Sequence, residues 1–273
     1  MLGTYLEQVR EKGPLVHCIT NYVTVNDVAN ILLACGGSPI MSDEIQDVED
    51  ITSLCGGLVI NIGTLNQRTI PAMFAAGKRA NALGHPVLLD PVGAGASALR
   101  TRTALELMEE LDLAVIRGNI SEIKTLAAGS GTTQGVDADV ADAVTEEDLD
   151  GPIALVQSLA AETGAVIAVT GAIDLVADGE RCFVIRNGRP EMGRITGTGC
   201  QLSALACAYV TACPDHRLEA AAAAVAAMGL AGETGWADLA PSDGNSTYRN
   251  KIIDAIFHMD GAALDRGARY EVR

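Results

Sequence analysis

Thr196-Gly197-Thr198-Gly199-Cys200 carries the strongest chemical signal in the sequence. Two glycines ahead of a helix-length stretch, Cys200–Ala212, leave backbone N–H groups open at a helix start. The helix dipole adds partial positive charge there, so the segment suits an anion. It has neither the Gly-Lys-Ser/Thr of a P-loop nor the full G-x-G-x-x-G dinucleotide fingerprint, and it also reads as a glycine-rich entry into a packed helix. Cys200 stands in the first turn, where a thiol can take a proton or hydrogen bond from a substrate hydroxyl; filling space beneath the glycines is the alternative. Asp90-Pro-Val-Gly-Ala-Gly-Ala96 is an acid before a glycine-rich turn, suited to Mg²⁺ directly or through water, or simply to opening the turn at Pro91. In Arg117-Gly-Asn119-Ile-Ser-Glu122, Arg117 is a forked phosphate donor. Glu122 either serves a metal or closes a capping box with Asn119, and the two are compatible. Thr170-Gly171 sets a hydroxyl beside bare backbone, a nucleotide contact or an ordinary turn.

Three of these candidates follow short apolar runs: Pro86–Leu89 before Asp90, Leu113–Ile116 before Arg117 and Val166–Val169 before Thr170. With Leu15–Ile19 and Leu58–Ile62, these runs read as buried strands. Ala-rich helical stretches separate them: Asn26–Cys35, Ile70–Leu83, Thr101–Leu111, Ser121–Ala128 and Pro152–Thr163. Continuous apolar strands alternating with helices predict an α/β fold with a mostly parallel sheet covered on both faces. Leu175–Ala177 and Arg181–Ile185 flank Asp178-Gly179, which predicts an antiparallel hairpin at the sheet edge. The last third reads as helices Cys200–Ala212, Arg217–Thr234 and Asn245–Met259. Ligands in such folds sit beyond the carboxyl ends of the strands, where Asp90, Arg117 and Thr170 fall. No linker or repeat divides the chain, so one domain over residues 1–273 is expected. The acidic, glycine-rich segment Gly129–Asp150 is longer than an ordinary connection and reads as a functional flap or a disordered insert.

Composition narrows the partners. The 273 residues carry 19 Lys and Arg against 35 Asp and Glu, a net charge of −16, with no basic run. That excludes nucleic acid as the main partner and leaves phosphate binding to local devices. The longest apolar stretch, Ala220–Ala231, is mostly alanine and shorter than the roughly 20 residues of a membrane span. Met1–Gly13 is mixed and charged, without the apolar core of a signal peptide, so no membrane role and a cytoplasmic location are expected. Seven cysteines form no CxxC pair and no zinc-like spacing; apart from Cys200 they read as small buried residues of a reducing compartment.

Together these segments resemble the hydroxyethylthiazole kinase family of the ribokinase-like superfamily, nearly end to end. The resemblance is carried by His17-Cys-Ile-Thr-Asn21, Ser38-Pro-Ile-Met41, Asn61-Ile-Gly-Thr-Leu65 and Leu89-Asp-Pro-Val-Gly-Ala-Gly95. It continues through Ile116-Arg-Gly-Asn-Ile-Ser-Glu122, Gly135-Val-Asp-Ala138, Ala168-Val-Thr-Gly171 and Thr196-Gly-Thr-Gly-Cys200. It implies ATP-dependent phosphorylation of 4-methyl-5-(2-hydroxyethyl)thiazole in thiamine biosynthesis or salvage, by a homotrimer with active sites between subunits. It also implies that Met41, Asn21, Gly63 and Gly197 contact the substrate, that Arg117, Thr170 and Gly171 contact ATP, and that Asp90 and Glu122 serve Mg²⁺. Cys200, Gly197 and Gly199 would form the catalytic anion hole. The wider superfamily usually has Asp where Cys200 stands, while this family commonly has Cys. Ser42-Asp43-Glu44 is more acidic than the family pattern, and Asp139–Asp150 is expanded. The neighbouring readings are a hydroxymethylpyrimidine (phosphate) kinase, a repair dehydratase of hydrated nicotinamide cofactors, and a non-catalytic nucleotide-binding regulator; the missing fingerprint disfavours a dinucleotide oxidoreductase.

Overall fold

The structure is a computed structural model and describes residues 1–129 and 144–273. Its strands are β1 (Leu15–Ile19), β2 (Ser38–Met41), β3 (Gly57–Asn61), β4 (Val87–Asp90), β5 (Val115–Asn119), β6 (Val166–Thr170), β7 (Asp174–Ala177), β8 (Cys182–Ile185) and β9 (Tyr270–Val272). They form one sheet in the order β2-β1-β3-β4-β5-β6-β7-β8-β9. All pairs from β2 through β6 are parallel, and those from β6 through β9 are antiparallel. The parallel sheet is as expected. The hairpin, however, is not outermost, because β9 pairs with β8 and takes the edge. Three apolar runs are also redrawn. β4 extends through Asp90, β5 through Asn119 and β6 through Thr170, since the backbone ladder continues after the side chains turn polar.

The strands alternate between two cores, as a sheet covered on both faces must. Val59, Leu88, Val115 and Ala168 pack into one core, and Leu58, Ile60, Leu89, Ile116 and Ile167 into the other. The first is roofed by α1 (Gly3–Lys12), α2 (Val25–Cys35), α8 (Thr198–Ala212), α9 (Arg217–Ala237), α10 (Asn245–His258) and α11 (Gly261–Gly267). The second is roofed by α3 (Val48–Leu54), α4 (Thr69–Leu83), α5 (Ala98–Glu110), α6 (Ile120–Gly129) and α7 (Asp150–Thr163). Helix α8 lies on β1, β3, β4 and β5, and α9 on β6, β7 and β8. Ala220–Ala227 are all buried, because α9 is wedged between the sheet, α8 and α10. A helix apolar all round is an interior one. Among the described residues, no helix is long and apolar enough to cross a membrane.

Chain direction explains where the site lies. From β1 the chain moves outward to β2, then returns to β3 on the other side of β1. The connections therefore diverge between β1 and β3, which opens a crevice at their carboxyl ends. Asn21 follows β1, Asn61 closes β3, and Gly63 follows it. Of the acidic segment, residues 130–143, with Gly135–Ala138, lie outside the described residues. From residue 144 the chain packs back: Val144 and Leu149 are buried, and Glu146 pairs with Arg186 at 2.6 Å.

Candidate active site

Parallel register sets Asn61 of β3 beside Asp90 of β4. The Asn61 Nδ2 group donates to Asp90 Oδ2 at 2.6 Å and to Cys200 Sγ at 3.3 Å. Asn61 Oδ1 accepts from Asn21 Nδ2 at 3.0 Å and from the Gly63 N–H at 2.9 Å. Asn21 Nδ2 also donates to Cys200 Sγ at 3.2 Å, while its Oδ1 accepts from the backbone N–H and hydroxyl of Thr24. Ser203, one turn beyond Gly199 on α8, donates to Asp90 Oδ2 at 2.8 Å. Asn21, Asn61, Gly63, Asp90, Cys200 and Ser203 thus form one continuous network at the crevice. Gly63 has to be glycine here, because a Cβ would press on both amides.

Helix α8 points its start at this network. Gly197, its cap, has φ 89°, and the Thr24 side chain occupies the space a Cβ would need. At Gly199 a Cβ would collide with the Arg117 guanidinium. One glycine therefore supplies a left-handed turn and the other lets an arginine lie on the helix start. The Gln201 N–H closes the first turn onto the Gly197 carbonyl, leaving the earlier N–H groups open to an anion. Arg117 Nη2 donates to Thr170 Oγ1 at 2.6 Å, and Nη1 lies 3.6 Å from Asp90 Oδ1. Arg117, Thr170, Gly171 and Gly199 line a cleft of about 490 Å³, with Asp174 and Arg189. Asp174 Oδ1 accepts the Gly171 N–H at 2.9 Å, and burial pushes its carboxyl up to about 7 against the opposing effects of that hydrogen bond and of Arg117.

Asp90 is fully buried, and burial raises its carboxyl above the ordinary value despite Arg117; the charge of Glu122 adds to the rise. Its Oδ1 has no hydrogen-bond partner. Glu122 completes the capping box: Oε2 accepts the Asn119 N–H and Asn119 Oδ1 accepts the Glu122 N–H, both at 2.8 Å. Its Oε1 accepts the Gly93 N–H at 2.8 Å. Each Glu122 oxygen keeps a lone pair, so capping and metal service coexist. An orphaned buried carboxylate oxygen beside a second acid fits Mg²⁺, which takes one or two carboxylates and fills its other positions with phosphate and water. Among the described residues no three His, Cys, Asp or Glu side chains cluster as an all-protein cage.

Met41 stands apart from this network. It ends β2 and lines a smaller cleft of about 200 Å³ with Thr20, Tyr22, Ser42, Thr64 and Thr69. Asn21 is flanked by Thr20 and Tyr22 of this cleft, and Cys200 by Gly199 of the larger one, so the network lies beside both. His17 anchors the far wall. Its Nε2 donates to the Ser42 carbonyl, which can only accept, and a neutral ring then accepts from Thr52 Oγ1 at Nδ1, each at 2.9 Å. Burial lowers the His17 value and keeps the ring neutral.

Sequence reasoning did not single out Asn61, Ser203, Asp174 or Arg100 as site residues. Asn61 had a signal, a polar residue closing an apolar strand beside a strand that ends in Asp. Ser203 had one too, four residues after Gly199 on the same helix. Arg100 had none: from the first turn of α5 its Nη1 donates to the Val92 carbonyl and its Nη2 to the Gly63 carbonyl, tying the loops after β3 and β4 together.

The fold is that of the ribokinase-like proteins: a superfamily member from Enterococcus faecalis superposes with a TM-score of 0.63 at 12% identity, covering 92% of this chain and 88% of that one. A closer family follows from sequence. The model of the hydroxyethylthiazole kinase family matches residues 6–261, and the chain belongs to that family. A hydroxyethylthiazole kinase of Clostridium acetobutylicum is 60% identical, covering 99% of both chains. The structure of a hydroxyethylthiazole kinase from Pyrococcus horikoshii has a TM-score of 0.89 at 34% identity, over 100% of this chain and 98% of that one.

Proposed function

We propose that the chain transfers the γ-phosphoryl group of ATP to the primary alcohol of hydroxyethylthiazole, as a kinase of thiamine biosynthesis or salvage. The observation that carries this reading is the convergence of Asp90, Cys200 and the open start of α8 on one network beside two clefts. The larger cleft takes ATP, with Arg117, Thr170 and Gly171 on its phosphates. The smaller takes the thiazole, with Met41 as wall and Asn21 and Gly63 at its inner end. Mg²⁺ held by Asp90 and Glu122 would neutralise charge on the phosphates. The N–H groups at Gly197–Cys200 stabilise charge developing on the transferred group. With its two acceptor directions taken by Asn21 and Asn61, Cys200 turns its S–H toward the attacking hydroxyl and orients it. A loose transition state asks for little base assistance, so a thiol suffices.

The functional unit is the whole chain as one domain, in keeping with its single sheet. Exposed Tyr22 and Val23 adjoin the smaller cleft and give an apolar margin for a neighbouring subunit, consistent with a homotrimer that completes its sites at the interfaces. Seven free thiols suit the reducing cytoplasm. The test is ADP release with the thiazole alcohol beside the hydroxymethylpyrimidine alcohol. The reading expects a kcat/KM preference for the thiazole of at least about a hundredfold, the discrimination one well-fitted pocket can provide. Preference for the pyrimidine would move the assignment to the neighbouring kinase. ATP binding without transfer to either alcohol would make the chain a nucleotide-binding regulator.

A further inference from the structure

Asn61 uses its whole hydrogen-bonding capacity: two donors, to Asp90 and Cys200, and two acceptor sites, to Asn21 and Gly63. Asn21 is equally saturated, with two donors to Asn61 and Cys200 and two acceptor sites taken by Thr24. Neither amide can be turned over. Reversing Asn61 would set its oxygen against the Asp90 carboxylate and its NH₂ against the Gly63 N–H. The Cys200 sulfur is therefore faced by two fixed N–H donors. Its own hydrogen is excluded from both directions and left for a third group.

Asn61 differs from its neighbours in what it reaches. Asn21 touches the thiol but not the carboxylate. Ser203 touches the carboxylate but not the thiol. Asn61 alone among these three touches both, and it is 2% exposed, with no room to swing. We infer that Asn61 is a positioning residue that holds Cys200 and Asp90 in a single frame, setting the hydroxyl-facing thiol and the metal-facing carboxylate together. This rests on the roles proposed above for those two residues. Hydrogen bonds to a buried carboxylate fix its rotamer as well as its energy. One amide bridging both groups means that neither can shift without the other.

The test is iodoacetamide labelling of Cys200, read by mass spectrometry without nucleotide or alcohol, together with Mg²⁺ titration of activity. The other six cysteines are buried, so the native protein reports on Cys200. The two N–H donors hold the sulfur where the reagent meets it. Asn61→Ala should slow labelling roughly threefold to tenfold, the effect of one lost hydrogen bond, and should raise the Mg²⁺ midpoint. Asn21→Ala should slow labelling and leave the Mg²⁺ midpoint in place. Ser203→Ala should do the reverse. Asn61→Asp, which keeps the volume and removes the donors, replaces the alanine variant if that one does not fold, and should move both readouts. A folded Asn61 variant that labels at the wild-type rate, or moves one readout only, overturns the proposal. If the wild type transfers phosphoryl to no alcohol, the kinase reading fails. The labelling comparison then still decides whether Asn61 holds the thiol.

Discussion

At the scale of single residues, the site sets a half-buried thiol beside two buried carboxyls, Asp90 and Asp174, that burial raises. Cys200 is the acceptor of two amide donors, and the loose transition state asks little of it. Cys200→Ala should therefore retain measurable kcat, reduced roughly tenfold to a hundredfold, and Cys200→Asp should exceed the alanine variant by restoring a base beside the same amides. Steady-state kinetics checks both; total loss in a folded, ATP-binding Cys200→Ala protein would assign the thiol an obligatory role. Asp174 gives a prediction in pH. Its carboxyl is pushed up to about 7 in the fold against about 3.9 in the unfolded chain. Between those values the folded state keeps a proton that the unfolded chain has released. Stability from this group is therefore highest below about pH 4 and falls as pH rises toward 7. The loss at neutral pH is on the order of 4 kcal/mol. Asp174→Asn, which keeps the acceptor for the Gly171 N–H, should flatten that slope. Melting temperatures from pH 4 to 8 for both proteins measure it, and parallel curves would place the Asp174 titration lower.

At the scale of elements, glycines at the start of α8 do two different tasks. Gly199→Ala should raise the KM for ATP about tenfold or more while the circular dichroism stays native. The added methyl meets the Arg117 guanidinium, which must move to relieve overpacking. An unchanged KM would separate Arg117 from nucleotide binding. The same helix shows what is legible in a sequence. The Gly-Thr-Gly-Cys start could be read directly, because left-handed turns and close approaches leave few residue choices. The buried strands could also be read, since a sheet covered on both faces demands continuous apolar runs. β2 could not: it is an edge strand whose apolar part, Pro39-Ile-Met41, is only three residues long and opens on a proline. α1 turns only Gly3, Leu6 and Val9 inward over ten charged and polar-rich residues, and β9 is a three-residue edge strand without a buried position. Arg100 was invisible for a different reason. Its partners are backbone carbonyls of two loops, and a carbonyl has no residue type to read.

At the scale of the whole molecule, an acidic chain meets a polyanionic ligand by concentrating its few useful cations and dipoles. The net charge of −16 is a property of the surface and serves solubility. At the larger cleft Arg117 is the more enclosed cation, 12% exposed at its side chain, whereas Arg189 is engaged by Glu191 at 3.1 Å and lies over the Trp236 ring at 5.2 Å. Two of the excess acids, Asp90 and Glu122, turn their charge inward to the place proposed for Mg²⁺. The crevice exists because the connections diverge between β1 and β3, so topology alone brings Asn21, Asn61 and Gly63 to the start of α8.

The most direct measurement follows label from the γ-phosphate of ATP into the thiazole alcohol by mass spectrometry, with wild type beside Asp90→Asn. The wild type should form a phosphate ester on the primary hydroxyl. The variant should lose at least about a hundredfold in rate, as for an electrostatic contributor to the transition state. Label appearing in inorganic phosphate alone, or transfer at the wild-type rate by Asp90→Asn, would contradict it.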